Sequence, residues 1–292
     1  GLPDQTFYPG FTLNGGFTNS HAFANADFSV GSINTPLGIH LGFDSLSRVA
    51  QRTRSAGDSL ATFEYFQDGR LKKWTQYPGA SCTPDAAYGQ RCHPVGDPVL
   101  SESYTYDAVG NVQPGMYSYS NYRLTAANGY TYNYDDDGNL IEKLSAGSVV
   151  QSYTWNTLGQ LSSVTTAGTT VQFGYDGLGR RVRKTVVGGA TTGYVWDRDN
   201  LFLELDGSGN VTKQYAYWPG VDQPFATATG GNAYFYTHDE IAGNVTGLVR
   251  LGDNAVVARY GYLPLGALRA GSVDAVANSI RFGSREYDGE SG

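Results

Sequence analysis

The chain repeats itself. An aromatic residue, an acidic or amide residue, two variable residues, glycine, a polar residue and an aliphatic recur, with substitutions at either end. The copies are YDAVGNV (106–112), YDDDGNL (134–140), WNTLGQL (155–161), YDGLGRR (175–181) and LDGSGNV (205–211). Weaker copies are FDSLSRV (43–49), YFQDGRL (65–71) and WDRDNLF (196–202). From Tyr134 through Trp155 and Tyr175 to Trp196 the anchors are 21, 20 and 21 residues apart. A period of about twenty residues marks repeated supersecondary units that bury a core only by packing on one another.

Each unit reads as a β-hairpin. Before the turn, aromatics alternate with small or polar residues: Tyr130, Tyr132 and Tyr134; Tyr153 and Trp155; Phe173 and Tyr175; Tyr194 and Trp196. Period two places each set on one strand face. The aspartate after the anchor is suited to accept hydrogen bonds from turn amides, and the glycine three residues on to supply the left-handed position that closes the loop. Asp107, Gly110, Asp135, Gly138, Gly159, Asp176, Gly179, Asp206 and Gly209 are therefore expected to hold turns. The sequence predicts an all-β protein of serial antiparallel hairpins, forming a long sheet curled into an arc or shell. A β-propeller or β-solenoid is the alternative. Composition agrees, because 39 glycines and 22 tyrosines in 292 residues combine strand-forming aromatics with turns that need positive φ. Residues 1–40 lack the clear repeat and read as an irregular covering segment; residues 41–292 read as the repeat region.

The residues offer little conventional chemistry. A formal net charge of −7 argues against a nucleic-acid partner. The basic run GRRVRK (179–184) alternates as a strand does and is expected to be a solvated face. No apolar run of about eighteen residues exists to span a membrane. Asn133, Asp135, Asp137 and Gly138 match the start of a calcium loop, but Leu144 stands where a bidentate glutamate is required. Asp239 and Glu240 are adjacent on a strand, point to opposite faces, and so do not converge as a glycosidase pair. His21, His40, His93 and His238 show no metal spacing. No catalytic residue, metal or cofactor is assigned. Cys82 and Cys92 flank a loop that interrupts the repeat rhythm; a disulfide is the leading reading, ahead of free thiols and of a metal site with His93. A bridge would imply an oxidising, extracytoplasmic setting. Trp155, Trp196 and Trp218 are candidates for stacking on a glycan, set against ordinary cross-strand packing. The open edges of a hairpin series call for cover by the rest of the polypeptide or by other copies, or else favour self-assembly into a filament or tube.

The YD units, together with HDEIAGNVTGLV (238–249), YGYLPLGALR (260–269) and RFGSREYDGESG (281–292), resemble the RHS/YD-repeat proteins. That family includes bacterial polymorphic toxins, the insecticidal toxin-complex BC component, wall-associated proteins and the animal teneurins. The resemblance covers roughly residues 41 to 292, and its last part approaches the RHS core. It implies a β-sheet strip that spirals into a hollow shell enclosing a C-terminal toxin or effector, in a secreted or cell-surface protein. It implies a structural, non-enzymatic chain, since the family's aspartyl autoprotease motif would fall beyond Gly292. Carbohydrate contact is a weaker inheritance. The opening Gly1, in place of methionine, reads as a processed or excised piece of something longer.

Overall fold

The computed structural model describes residues 5–8, 11–17, 23–30, 39–44, 46, 48–54, 59–85, 89–112, 117–238 and 243–290. It divides into two compact units, residues 1–114 and 115–292. In the first, β1 (Gln5–Tyr8), β2 (Phe11–Phe17), β3 (Phe23–Val30), β4 (Ile39–Phe43), β5 (Val49–Arg54), β6 (Leu60–Tyr65) and β7 (Leu71–Tyr77) pair in chain order. A ribbon of β8 (Gly79–Asp85) and β9 (Gly89–Val95) then leaves the sheet, and β10 (Leu100–Ser103) rejoins it beside β7. Three of these strands lie within residues 1–40 and extend the sheet by antiparallel pairing, β1 on β2 and β2 on β3.

The second unit is one 16-stranded sheet with every strand paired antiparallel to the next in chain order. Its first half comprises β11 (Tyr117–Ser120), β12 (Arg123–Ala127), β13 (Tyr130–Tyr134), β14 (Leu140–Ser145), β15 (Ser148–Trp155), β16 (Leu161–Thr166), β17 (Thr169–Tyr175) and β18 (Arg181–Val186). The second comprises β19 (Thr191–Asp197), β20 (Asn200–Leu205), β21 (Val211–Tyr217), β22 (Pro224–Thr229), β23 (Asn232–His238), β24 (Val245–Arg250), β25 (Val256–Arg259) and β26 (Val273–Asp274). The expected serial hairpins are present. The propeller alternative fails in this unit, because a propeller separates into blades of about four strands and this pairing is unbroken. Among the described residues no stacked parallel coils of a β-solenoid occur either, since the strand pairings are antiparallel.

The turns show why the motif has its composition. Asp176 Oδ1 accepts from the amides of Leu178 and Arg180, both at 2.9 Å, and Oδ2 accepts from Arg180 Nε at 2.8 Å. The backbone closes the same loop: the Gly179 amide donates to the Asp176 carbonyl at 3.0 Å, and Gly179 takes φ +82°. Asp107 and Asp206 repeat the pattern with Asn111 and Asn210 in place of the arginine. In the WNTLGQL copy, Asn156 plays the aspartate's part before Gly159, which takes φ +71°. The side-chain hydrogen bond from Asn139 leads the causes that hold the Asp135 carboxyl below its ordinary range. Asp136 and Asp137 stand exposed at the tip of that turn.

Most of the motif hairpins also carry a β-bulge at the anchor. Tyr134 pairs with Leu140 while Asn133 pairs with Glu142, leaving one extra residue on the return strand. The same shift occurs at Tyr65, Trp155, Tyr175 and Trp196. The apolar core of the second unit gathers under its later strands, where Leu201, Tyr215, Tyr236, Val245, Leu248 and Tyr260 are buried together. A smaller cluster of Val164, Val171 and Phe173 lies under β16 and β17.

Candidate functional site

The anchor aromatics tie each repeat to the one before. Trp155 Nε1 donates to the Leu140 carbonyl at 2.7 Å, Tyr175 Oη to Leu161 at 2.8 Å, and Trp196 Nε1 to Arg181 at 2.7 Å. Tyr65 reaches Val49 and Tyr106 reaches Leu71 in the first unit, and Tyr262 reaches Val245 near the end of the second. The acceptor follows a rule. Val49, Leu71, Leu140, Leu161, Arg181 and Val245 each pair with the final residue of the strand before them, where the register shifts. A backbone acceptor at an irregular ladder position needs a partner, and the next anchor supplies it. This explains why the anchor is tyrosine or tryptophan and rarely phenylalanine, a signal present in the sequence but not interpretable without the register.

The structure gives each candidate tryptophan a place. Trp155 and Trp196 are half-buried, with their indole N–H groups directed to those carbonyls. Trp218 is 38% exposed and packs against Phe225 at 5.0 Å between centroids. Cys82 and Cys92 face each other across the β8–β9 ribbon and are joined by a disulfide. The ribbon is held to β5 by Gln51, whose Nε2 donates to the Cys92 carbonyl at 2.8 Å and whose Oε1 accepts from the Cys92 amide at 3.3 Å. Asp239 and Glu240 lie outside the described residues, as does His21.

The densest polar constellation was not foreseen. The segment 274–290 folds back on the sheet as a strap, contacting β25 at its start, returning to the start of β24 at residues 281–284, and reaching β18 and β16 at its end. Tyr260 Oη donates to Asp274 Oδ1 at 2.6 Å, and Tyr236 Oη to Asn278 Oδ1 at 3.1 Å. Tyr215 Oη contacts Ser279 Oγ at 3.0 Å and donates to Glu204. The Val245 amide donates to the Arg281 carbonyl at 3.1 Å. Further along, Asp288 is gripped by Arg181 at 2.5 Å and Lys184 at 3.0 Å; Lys184 also meets Glu290 at 2.6 Å. Thr166 Oγ1 donates to the Glu290 carbonyl at 3.1 Å. The tyrosines that alternate along these strands thus hold a strap with their hydroxyl tips.

This corrects the expectation for the GRRVRK run at Arg181 and Lys184, whereas Arg183 is exposed as expected. Arg181 and Lys184 are not a solvated face: their side chains are 19% and 17% exposed and neutralise strap carboxylates. The register shift at Gly174 and Tyr175 interrupts the simple alternation read from the sequence. Burial pushes the Glu286 carboxyl up, while Arg181 pulls it down. Asp288 shows the opposite balance, because Arg181 and Lys184 overcome its desolvation and hold it below the ordinary range. Between strap and sheet lies a cleft of about 470 Å³, lined by Lys184, Tyr194, Glu204, Lys213, Glu286 and Tyr287 among others. Among the described residues, no group of three or more His, Cys, Asp or Glu side chains is placed to hold a metal, and no helix is long and apolar enough to cross a membrane.

Known proteins resemble this chain in sequence over much of its length. It is 31% identical over 210 residues to the tRNA nuclease WapA of Bacillus subtilis (strain 168), covering 65% of this chain and 8% of that protein. The same figures hold for the tRNA3(Ser)-specific nuclease WapA of Bacillus spizizenii, so the chain spans about a twelfth of the length of these relatives. Among solved structures, it aligns over 95% of its length with 18% of a chain of TcdB2-TccC3, at 15% identity and a TM-score of 0.41. It aligns with the Photorhabdus luminescens Tc holotoxin pore over 96% of its length and 18% of that chain, at 14% identity and a TM-score of 0.38. The family model described as Teneurin YD-shell matches residues 41–201, more than half of the chain. With its YD turns, anchor aromatics and serially paired hairpins, the chain belongs to the YD-shell family of RHS/YD-repeat proteins.

Proposed function

We propose that this chain is a section of the wall of a secreted or cell-surface β-shell that encloses an effector, and that it performs no catalysis itself. The observation that carries the reading is the repeat-to-repeat bond from each anchor aromatic to the preceding bulge. It ties each short hairpin of the long sheet to the one before, as a continuous wall requires. The WapA relatives, named as tRNA nucleases, favour a nuclease as the effector, carried by polypeptide outside this wall section. Residues 41–292 serve as the repeat region in this proposal, with residues 1–40 adding strands to the edge of the first sheet where an irregular cover was expected, and the strap approaching the RHS core. The remainder of the polypeptide, or further copies, covers the outer strand edges. The Cys82–Cys92 bridge supports an oxidising location. Glycan recognition ranks lower, because the polar tips of Trp155 and Trp196 are committed to backbone carbonyls. Electron cryomicroscopy of the full gene product, with limited proteolysis, tests the proposal. Effector density inside a wall containing residues 115–292, protected from protease until the wall is opened, is expected. An effector cut as fast as the free effector, beside an open sheet, overturns it.

A further inference from the structure

We propose that the cleft between the strap and β18–β21 binds a guanidinium side chain of a polypeptide partner, with the Glu286 carboxylate as its counter-charge. The proposal stands apart from the shell reading, since it concerns one cleft and its charge balance. Five carboxylates line the cleft against three lining cations, and with Arg181, which holds the lining Asp288, four cations face five carboxylates, an excess of one negative charge. The cations are already matched. Lys184 holds Asp288 and Glu290, Arg281 holds Asp274 at 2.6 Å, and Lys213 reaches the Ala277 carbonyl at 3.3 Å and Glu204 at 3.8 Å. An anion entering the cleft would have to break one of these pairs. A cation would not.

Glu286 is the lining carboxylate left over. Its neighbours in the lining, Glu204, Asp274, Asp288 and Glu290, each have a hydroxyl or cationic partner. Among the described residues, the Glu286 side chain makes no hydrogen bond or ion pair. Arg181 and Lys184, the cations acting on it, are committed to Asp288 at 2.5 and 3.0 Å, and Lys184 also to Glu290 at 2.6 Å. The backbone fixes where this carboxylate stands, because Glu286 bridges Ile280 and the neighbouring Tyr287 amide donates to the Ser279 carbonyl at 2.6 Å. A carboxylate withdrawn from water and left unmatched gains more from an incoming cation than an exposed one does.

The walls favour a planar cation. Tyr194 and Tyr287 line the cleft, and this face already stacks guanidinium groups on rings: Arg281 lies 4.3 Å from the Tyr287 centroid, and Arg181 lies 4.3 Å from that of Phe173. A guanidinium pairs with a carboxylate through two parallel N–H bonds, which an ammonium does not match. Glu286 offers both oxygens for such a fork.

The test uses the whole chain and three probes: acetyl-arginine amide, acetyl-lysine amide and the neutral acetyl-citrulline amide. Binding is followed by carbon-13 NMR of the side-chain carboxyls in wild type and in Glu286→Gln, with circular dichroism and a thermal melt to establish that the variant is folded. Saturable binding of the arginine probe is expected, with a shift confined to the Glu286 carboxyl and its neighbours. Glu286→Gln should weaken it by roughly tenfold or more, the effect of one charge-assisted pair. The citrulline probe should bind neither protein. Equal binding of arginine and citrulline, equal binding of arginine and lysine, an unchanged affinity in the folded variant, or no saturation with the arginine probe each overturns the assignment.

Discussion

Removing the hydroxyl of an anchor tyrosine should destabilise the sheet by an amount set by the burial of the carbonyl it serves. Tyr262 donates to Val245 at 2.7 Å; Tyr262 is 9% exposed and Val245 is fully buried. In Tyr262→Phe, water cannot replace the lost donor, so the cost is that of a buried unsatisfied acceptor, about 2 kcal/mol within a range of roughly 1–3. Tyr134 likewise donates to the Leu124 carbonyl at 2.8 Å, although Leu124 pairs with Tyr119 and not with the last residue of β11, and both Tyr134 and Leu124 are only half-buried. Water takes over there, and Tyr134→Phe should cost about 0.5–1 kcal/mol. In a cooperative unit of about 180 residues, 1 kcal/mol shifts the melting temperature by roughly 2–4 °C. The expected falls are therefore about 6 °C for Tyr262→Phe and about 2 °C for Tyr134→Phe. Scanning calorimetry of the two variants, with urea melts to convert temperature into free energy, decides the matter. Trp155→Phe and Tyr175→Phe together extend it: neighbouring anchors should couple, whereas Tyr134→Phe and Tyr262→Phe should add. Two variants melting within about 1 °C of wild type, or a loss at Tyr134 as large as that at Tyr262, would refute the claim that the anchors lock one repeat to the next.

Gly159→Ala should destabilise by roughly 1–2 kcal/mol through its φ of +71° alone, since nothing stands within 4 Å of the added methyl group; Gly159→Asn should cost less, which a urea melt of both variants will show. The strap should respond to pH in two opposed steps. Glu286, raised above its ordinary value of 4.5, favours the folded state increasingly as the pH falls through its folded value towards the ordinary one. Asp288, lowered below its ordinary 3.8, contributes stability above that value and loses it as the pH falls through its folded value. Melting curves across pH should accordingly show Glu286→Gln abolishing the gain on mild acidification and Asp288→Asn abolishing the loss at stronger acid. Reducing the Cys82–Cys92 bridge, with a sequence separation of 10, should cost about 3 kcal/mol in the first unit, and hydrogen exchange at the Cys92 amide should rise while residues 115–292 keep their protection.

Much of the fold was legible because hairpin physics is local. The period fixes strand length, the Asp176 to Gly179 spacing fixes the turn, and the two together dictate pairing with the next segment in the chain. Even the polar residue after the glycine, Arg180 or Asn210, was visible in the motif, although its bond to the second carboxylate oxygen was not. The roles of Trp155 and Tyr175 were half legible: alternation placed them on a strand face but could not give the acceptor. Arg181 and Lys184 were misread, because a charge run on an alternating strand carries no record of what covers it.

The sequence by itself therefore determined the all-β class, the order of strands and the chemistry of the turns, all set by residues within about twenty positions of one another. Only the tertiary structure decided what the aromatic tips and basic residues do. Thr166 meets Glu290 and Arg181 meets Asp288 across separations of 124 and 107 residues. Such contacts depend on where the chain returns after β26, and no local periodicity encodes that return.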